Sequence, residues 1–345
     1  MIGLFLVNTS VSASTIKDLN KAVVPLVSQD LRSQKNAYRN ALNQVLIKLT
    51  GDKAFMEHPK HAKLLTDAMQ FVTSTEFIEG KANQLLVIFN QDLLERWIKR
   101  NGLPLWGAQR PEGLLWFIEQ SYSNKARLML TDSSTSDTAQ ILDKQLFNRG
   151  ISLDLPLMDI TDVKLVSEID VWGQFIDILH EAAIRYDTPY TIGARLVETS
   201  PDNWVLDYFV KSESALRLKQ LTGNNKENLI RDFVSDYAEF QAQKYALDTA
   251  RFVENTQFEQ KIVVSGVTDI IVLSEIEAYL SSLSIVEKVQ LIAQNSFNSS
   301  FTVKLLDSPE KFHRILLNGN KMAAVKNLDN TPADDTATIF SYDWR

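Results

Sequence analysis

The chain has 345 residues, 45% of them hydrophobic, with a formal charge of −7, which is core enough for two or three small domains. It has no cysteine, and this excludes disulfides, thiolate nucleophiles, zinc–thiolate sites, iron–sulfur clusters and a lipid-modified amino-terminal cysteine. No basic stripe or arginine-rich segment supplies the attraction on which nucleic-acid binding rests.

The opening residues, MIGLFLVNTSVSAS, hold a short apolar run from Ile2 to Val7, followed by small residues with Val11 and Ala13 at the spacing of a cleavage site. They read as the back half of a secretory signal peptide, residues 1–13. The basic n-region is missing, so the expected start lies further upstream; the alternative is a buried amino-terminal strand. No other stretch approaches the roughly eighteen uncharged apolar residues of a membrane span.

Residues 14–108 read as a small α+β domain. Leu31, Tyr38, Ala41, Leu42, Val45, Leu46 and Leu49 recur at helical spacing, with Ser28 as the expected N-cap, Gly51 as the stop, and Lys35, Arg39 and Lys48 off the apolar stripe. A second helix is expected from Lys60 to Phe71 behind Pro59. LLVIFN at 85–90 is a strand, and DLLERWIKRNG is an amphipathic helix closed by Gly102. His58 and His61 are the close histidine pair, but a zinc site needs a third ligand that the spacing does not offer; a solvated helix start is expected.

LPLWGAQRP, residues 103–111, follows. Pro104 stops the preceding helix, Pro111 biases Arg110 towards an extended backbone, and Gly107 permits a tight bend. Trp106, Gly107, Arg110 and Pro111 are therefore read as a structural corner between two domains, with a ligand-binding loop as the alternative. Arg110 is expected to cap a helix carboxyl end or to pair with a buried carboxylate.

Residues 109–255 read as an α/β sandwich with a mixed sheet. GLLWFIEQ is a strand; the hydroxyl-rich 131–140 leads into a helix ended by Gly150; ISLDLPLMD at 151–159 is a second strand; and Val171–Tyr186 is one helical pattern. YTIGARLVET and NWVLDYFVKS form a hairpin, and a long helix runs from Lys226 to Leu247. No phosphate-cradling or nucleophile-elbow motif is present. Asp154, Asp159, Asp162 and Asp170 lack the spacing of a calcium loop, and His180 is expected on a helix surface.

Residues 256–326 follow the order β-α-β-β-α with a short last strand at 321–326, the ferredoxin-like split. Ser274 is the expected cap of the first helix there, and His313 sits in the second without a predicted partner. Residues 327–345, ending in IFSYDWR, are expected to form a flexible tail. The fold class is thus α+β with α/β: three small mixed α-β domains.

KLTGD at 48–52 and FNQDLLERWIKRNGLPLWGAQRP at 89–111, followed by LLWF, resemble the bacterial domain-of-unknown-function family 2066, found in exported proteins of Gram-negative bacteria. The resemblance implies export and no activity. AAIRYDTPYTIGARLVE with the Trp-containing strand after it is similar, in order of elements, to periplasmic accessory domains. Those are the amino-terminal domain of the Tol-system translocation protein and the lipoprotein activators of penicillin-binding proteins. The first domain is reminiscent of flagellar assembly protein T.

The function these features favour is a non-enzymatic periplasmic adaptor that binds another envelope protein, through the sheet edge of the middle domain or through aromatics at Trp204 and Trp344. No catalytic residue, cofactor or metal ligand is assigned. The alternatives are a cell-wall-directed enzyme using the acidic residues at 154–170 and the hydroxyls at 131–138, or a small-ligand sensor with a pocket under Trp106 or Trp204.

Overall fold

The computed structural model describes residues 16–28, 30–52, 58–78, 83–250, 258–295, 297–318, 321–325 and 339–345. The expected leader at 1–13 lies outside them, as does most of the expected tail. Among the described residues the strands make three sheets, one of three strands and two of five, so the chain is a set of small α+β units. No described helix is long and apolar enough to cross a membrane.

The first sheet has the order β1-β3-β2, from β1 (Lys21–Pro25), β2 (Val72–Phe77) and β3 (Gln84–Phe89), all antiparallel. Strand β3 buries Leu85, Val87 and Phe89 on one face against helix α1 (Leu31–Thr50). The cap of α1 is Asp30, which accepts from the backbone N–H of Arg32 and Ser33. Ser28 instead donates its hydroxyl to the Asp30 carboxylate; a carboxylate accepts two backbone donors and favours the positive end of the helix. Helix α2 (Pro59–Thr66) is shorter than its apolar spacing suggested, because the chain tightens into a 3₁₀ turn at Ala68–Phe71. Helix α3 (Gln91–Arg100) completes the unit.

The second sheet has the order β5-β4-β6-β7-β8, from β4 (Gly113–Gln120), β5 (Arg127–Met129), β6 (Tyr190–Ser200), β7 (Asn203–Lys211) and β8 (Leu216–Gly223). Strands β4 and β6 are parallel and every other pair is antiparallel. Strand β4, inside the sheet between β5 and β6, is buried on both faces, and its continuous apolar run reflects that. One face is covered by α4 (Asp137–Arg149) and α8 (Lys226–Tyr245), which together expose no large apolar side chain. The other is covered by three short helices, α5 (Ile160–Leu165), α6 (Glu168–Gly173) and α7 (Ile176–Ala183). The single helix expected over Val171–Tyr186 is broken at Gln174, whose backbone is left-handed with φ 52°. The strand expected at 151–159 reduces to one bridge, Leu114 with Asp154; the stretch has only this brief contact with β4, whose edge is taken further along by β5.

The third sheet has the order β10-β11-β9-β13-β12, from β9 (Phe258–Ser265), β10 (Val286–Gln294), β11 (Asn298–Leu305), β12 (Met322–Ala324) and β13 (Phe340–Trp344). Helices α9 (Ile270–Ser282), capped by Asp269 rather than begun at Ser274, and α10 (Pro309–Asn318) accompany it. Four of these strands keep the ferredoxin-like order. The fifth, β13, lies between the first and fourth strands, parallel to β9 and antiparallel to β12. Residues 340–344 are therefore sheet and not tail: Tyr342 is fully buried in the core, and its hydroxyl meets His313 Nδ1 at 2.8 Å.

Candidate functional site

The corner at 103–111 is where the three units meet. Leu105 exchanges two backbone hydrogen bonds with Leu247, just past α8, and the Trp106 N–H donates to the Leu49 carbonyl at the end of α1. Thr249 donates its hydroxyl to the Leu103 carbonyl. A Cβ on Gly107 would lie 2.0 Å from Ser284 Oγ, in the third unit, so this glycine is a close-approach position.

Arg110 is the centre of the corner. Its Nε donates to the Gly107 carbonyl, Nη1 to those of Arg149 and Gly150, and Nη2 to those of Lys48 and Trp106, over 2.6–3.1 Å. Those five acceptors use all five N–H donors of a guanidinium. Two helix carboxyl ends, those of α1 and α4, converge on the same cation, where the macrodipole favours positive charge. The guanidinium also lies 3.8 Å from the centre of the Trp106 ring. Burial, then the nearby Arg149, pulls its pKa well below the ordinary guanidinium value.

Two more cations are buried beside it. Lys48, read from helical spacing as lying off the apolar stripe, is only 1% exposed. Its Nζ donates to the Asp18 and Lys21 carbonyls and sits 3.7 Å from the centre of the Phe147 ring. Each of those partners comes from outside α1, so periodicity within the helix does not reveal them. Arg149 donates to the Gly51 carbonyl at 3.1 Å and faces Glu239 at 3.9 Å. The third unit is held by the same device: Lys311 and Arg314 of α10 donate to the Ala246 and Lys244 carbonyls at the end of α8. A cavity of about 380 Å³ remains at this junction, lined by Gly51, Asp52, Pro104, Glu239, Leu247 and Lys311 among others.

The other residues singled out from the sequence are dispersed. Trp204 is 9% exposed, packed in the core of the second sheet beneath Lys226. It is therefore not presented to a partner, and the correction follows from its place on β7, where its side chain faces the core. Trp344 is half-buried in β13, edge-on to Tyr279 at 5.8 Å. Trp106 is buried at the corner, its ring against Gly51, which also lines the cavity at the junction. His58 caps α2, His61 meets Asn43 at 2.8 Å and His180 meets Thr191 at 2.9 Å. The hydroxyl-rich loop bonds to itself through Thr131, Ser133 and Ser134, while Thr138 and Lys226 contact Glu119.

The acidic residues at 154–170 serve separate tasks. Asp154 forms the bridge to β4, and burial raises its pKa. Asp170 closes a capping box on α6. Asp159 and Asp162 form one network with Arg185, whose Nη1 is 2.6 Å from the first and 2.8 Å from the second. The fully buried Asp162 also accepts from the Met158 N–H and the Tyr186 hydroxyl. This network ties α5 to the turn after α7. Replacing Asp162 with alanine leaves the Met158 N–H and the Tyr186 hydroxyl without their buried acceptor, while Arg185 keeps both of its bonds to Asp159, and a loss of about 2 kcal/mol is expected; urea denaturation of the two chains measures it, with faster proteolytic nicking around α5 as the local sign.

The helix layer held by that network has apolar side chains on both sides. Val166, Val171, Leu179 and Ala182 pack inward against Leu114, Trp116, Ile118 and Phe209 of the sheet. Outward, Ile160, Val163, Ile169, Phe175, Ile178 and Ile184 are exposed, Ile160 by 77% and Ile184 by 69%. Exposed apolar residues scattered singly are ordinary on a folded surface; this many on one helix layer is not. The sequence signal was present in ITDVKLVSEIDVWGQFIDIL, which has more large apolar residues than one buried stripe can use.

The model of a domain of unknown function, DUF8605, matches residues 13–107, less than a third of the chain. The resemblance to family 2066 is corrected by this match, and no relative supports the similarity to the Tol-system, penicillin-binding-protein activator or flagellar proteins. No curated protein matches the chain. A solved structure titled "Crystal structure of uncharacterized protein" is similar at 7% identity and a TM-score of 0.15, over 42% of this chain and 92% of its own.

Proposed function

We propose that this chain is a non-enzymatic adaptor that binds another protein through the helix layer α5–α7 of its second unit. The observation that carries the reading is the set of large apolar side chains on the outer side of that layer, against none on α4 and α8. Residues 157–187 carry seven carboxylates and two cations, a balance that repels an anionic bilayer and favours a protein partner with apolar and basic groups. The leader-like composition of residues 1–13 supports export, and with it a partner in the cell envelope. A corner bonded to the ends of α1, α4 and α8 suits an adaptor, since it joins units that carry separate surfaces.

The test is photo-crosslinking in living cells from probes at Phe175 and Ile178, with a control probe at Asp232 on the opposite helix layer. One envelope protein captured from both test positions and absent from the control is expected, and Ile184→Asp is expected to abolish the adduct without lowering the melting temperature. Capture that is equal from all three positions, or absent from the test positions, refutes the reading.

A further inference from the structure

Among the described residues, the outer edge of β8 is the long, uninterrupted sheet edge. The other edge strands are blunted in ways that resist pairing with a further strand. Strands β5 and β12 have three residues each. Strand β1 ends in Pro25, and β2 and β10 carry register shifts, one and two respectively. Strand β8 runs for eight residues without proline, in unbroken register with β7. Among the described residues no strand pairs with its outer side.

Its side chains divide cleanly. Leu216 and Leu218 face the α6–α7 side, with Leu218 opposite Phe209, and both are exposed. Arg217 and Lys219 face α8, where both meet the one carboxylate of Asp236. Edge lysines and arginines ordinarily guard a strand by standing in the way of a neighbour. Here Asp236 draws both towards α8, so the guard is withdrawn, and two cations share one carboxylate.

We propose that β8 receives an extended segment of the partner protein as a sixth strand of the second sheet, a segment that alternates apolar residues with carboxylates. The inference rests on the adaptor reading and specifies how the partner is held. Backbone hydrogen bonds to the open edge supply affinity, and alternate side chains supply selectivity. The apolar residues extend the Leu216 and Leu218 surface towards the exposed helix layer, and the carboxylates on the other side meet Arg217 and Lys219. A second copy of this chain fits less well, because an antiparallel β8–β8 pair would set the cations of one copy against those of the other.

The test uses the full chain and a fluorescein-labelled synthetic peptide alternating valine and glutamate. Binding with a dissociation constant on the order of 10–100 μM is expected, with slowed amide exchange confined to β8. Leu218→Glu, at a position already exposed, is expected to weaken binding at least tenfold, as is a peptide with lysine in place of glutamate. N-methylation of alternate peptide amides is expected to abolish it in one of the two registers. Equal binding of the lysine peptide, equal binding of both N-methylated peptides, or a dimer of the chain that Leu218→Glu dissociates would each overturn the proposal. If no peptide binds while Phe175 still crosslinks a partner, strand addition fails and the adaptor reading stands; if the crosslink also fails, both fall.

Discussion

Arg110→Ala is expected to lower the stability of the chain by about 4 kcal/mol, the largest loss for any single side chain at the corner. The substitution removes a cation on which five carbonyls converge. It leaves those acceptors in a dry site, beneath a Trp106 ring that has lost its partner. Each stranded buried acceptor costs on the order of 1–3 kcal/mol, partly recovered by water entering the gap. Arg110→Lys separates charge from shape: an ammonium keeps the charge but brings three donors, with no planar fork to reach both helix ends. It is expected to recover less than half of the loss. Urea denaturation followed by tryptophan fluorescence measures both variants. An alanine variant within about 1 kcal/mol of the parent would mean that the carbonyls find water easily and that apolar packing alone holds the corner.

Lys48 gives the second large effect, and it depends on pH. Burial, followed by the neighbouring Arg110, lowers the pKa of Lys48 to about 7, and the opposing pull of Asp18 does not restore it. In the unfolded chain the amine titrates near its ordinary value of 10.5. Between those two values the unfolded state binds the additional proton, so stability rises with pH across that window; below about 7 both states are protonated and the term is constant. The stability of the parent relative to Lys48→Met is therefore expected to climb by about 3 kcal/mol between pH 7 and pH 10. Parallel stability curves for the two chains would show that the ammonium keeps an ordinary proton affinity in the fold. The direction is opposite to that of an amine gaining a carboxylate partner, because burial and the neighbouring Arg110 outweigh what the carbonyls, the ring and Asp18 return to the ammonium.

Much of the fold was legible because local chemistry and tertiary packing agreed. Strand β4 reads from its unbroken apolar run, the β6–β7 hairpin from its alternation, and α1 and α4 from glycines that adopt left-handed caps at Gly51 and Gly150. The ferredoxin-like order of the third unit reads from the sequence of elements alone. What escaped notice depends on partners distant in the chain. Strand β8, LRLKQLTG, has a leucine pattern that could serve a loop or a helix end, and becomes a strand because β7 offers it a register. Strand β13 takes its place between strands that lie some way back along the sequence. Pro104, Gly107 and Pro111 suggest a bend, and Arg110 either a helix cap or a partner for a buried carboxylate; in the structure the hydrogen bonds of Arg110 go to carbonyls. That two helix ends share the arginine, with Lys48 buried alongside, depends on contacts across 62 and 39 residues of chain that no local pattern encodes. The exposed helix layer is a different case: its isoleucines and valines stand in the sequence, but the apolar spacing predicts one helix over Val171–Tyr186 and none over Ile160–Leu165, where α5 forms.

The position of β13 also imposes an order of events. Strand β12 precedes β13 in the chain, yet reaches β9 only through it. While the polypeptide emerges from a ribosome or a translocation channel, β9, β10 and β11 can pair as soon as they appear, leaving the other side of β9 open and β12 with nothing to lean on. Until residues 340–344 arrive, the third unit presents a bare apolar edge to every neighbouring chain, which is the circumstance in which nascent proteins aggregate or recruit a chaperone. The strand that closes this sheet is thus also a timer: it sets how long the molecule must be protected before it can stand alone.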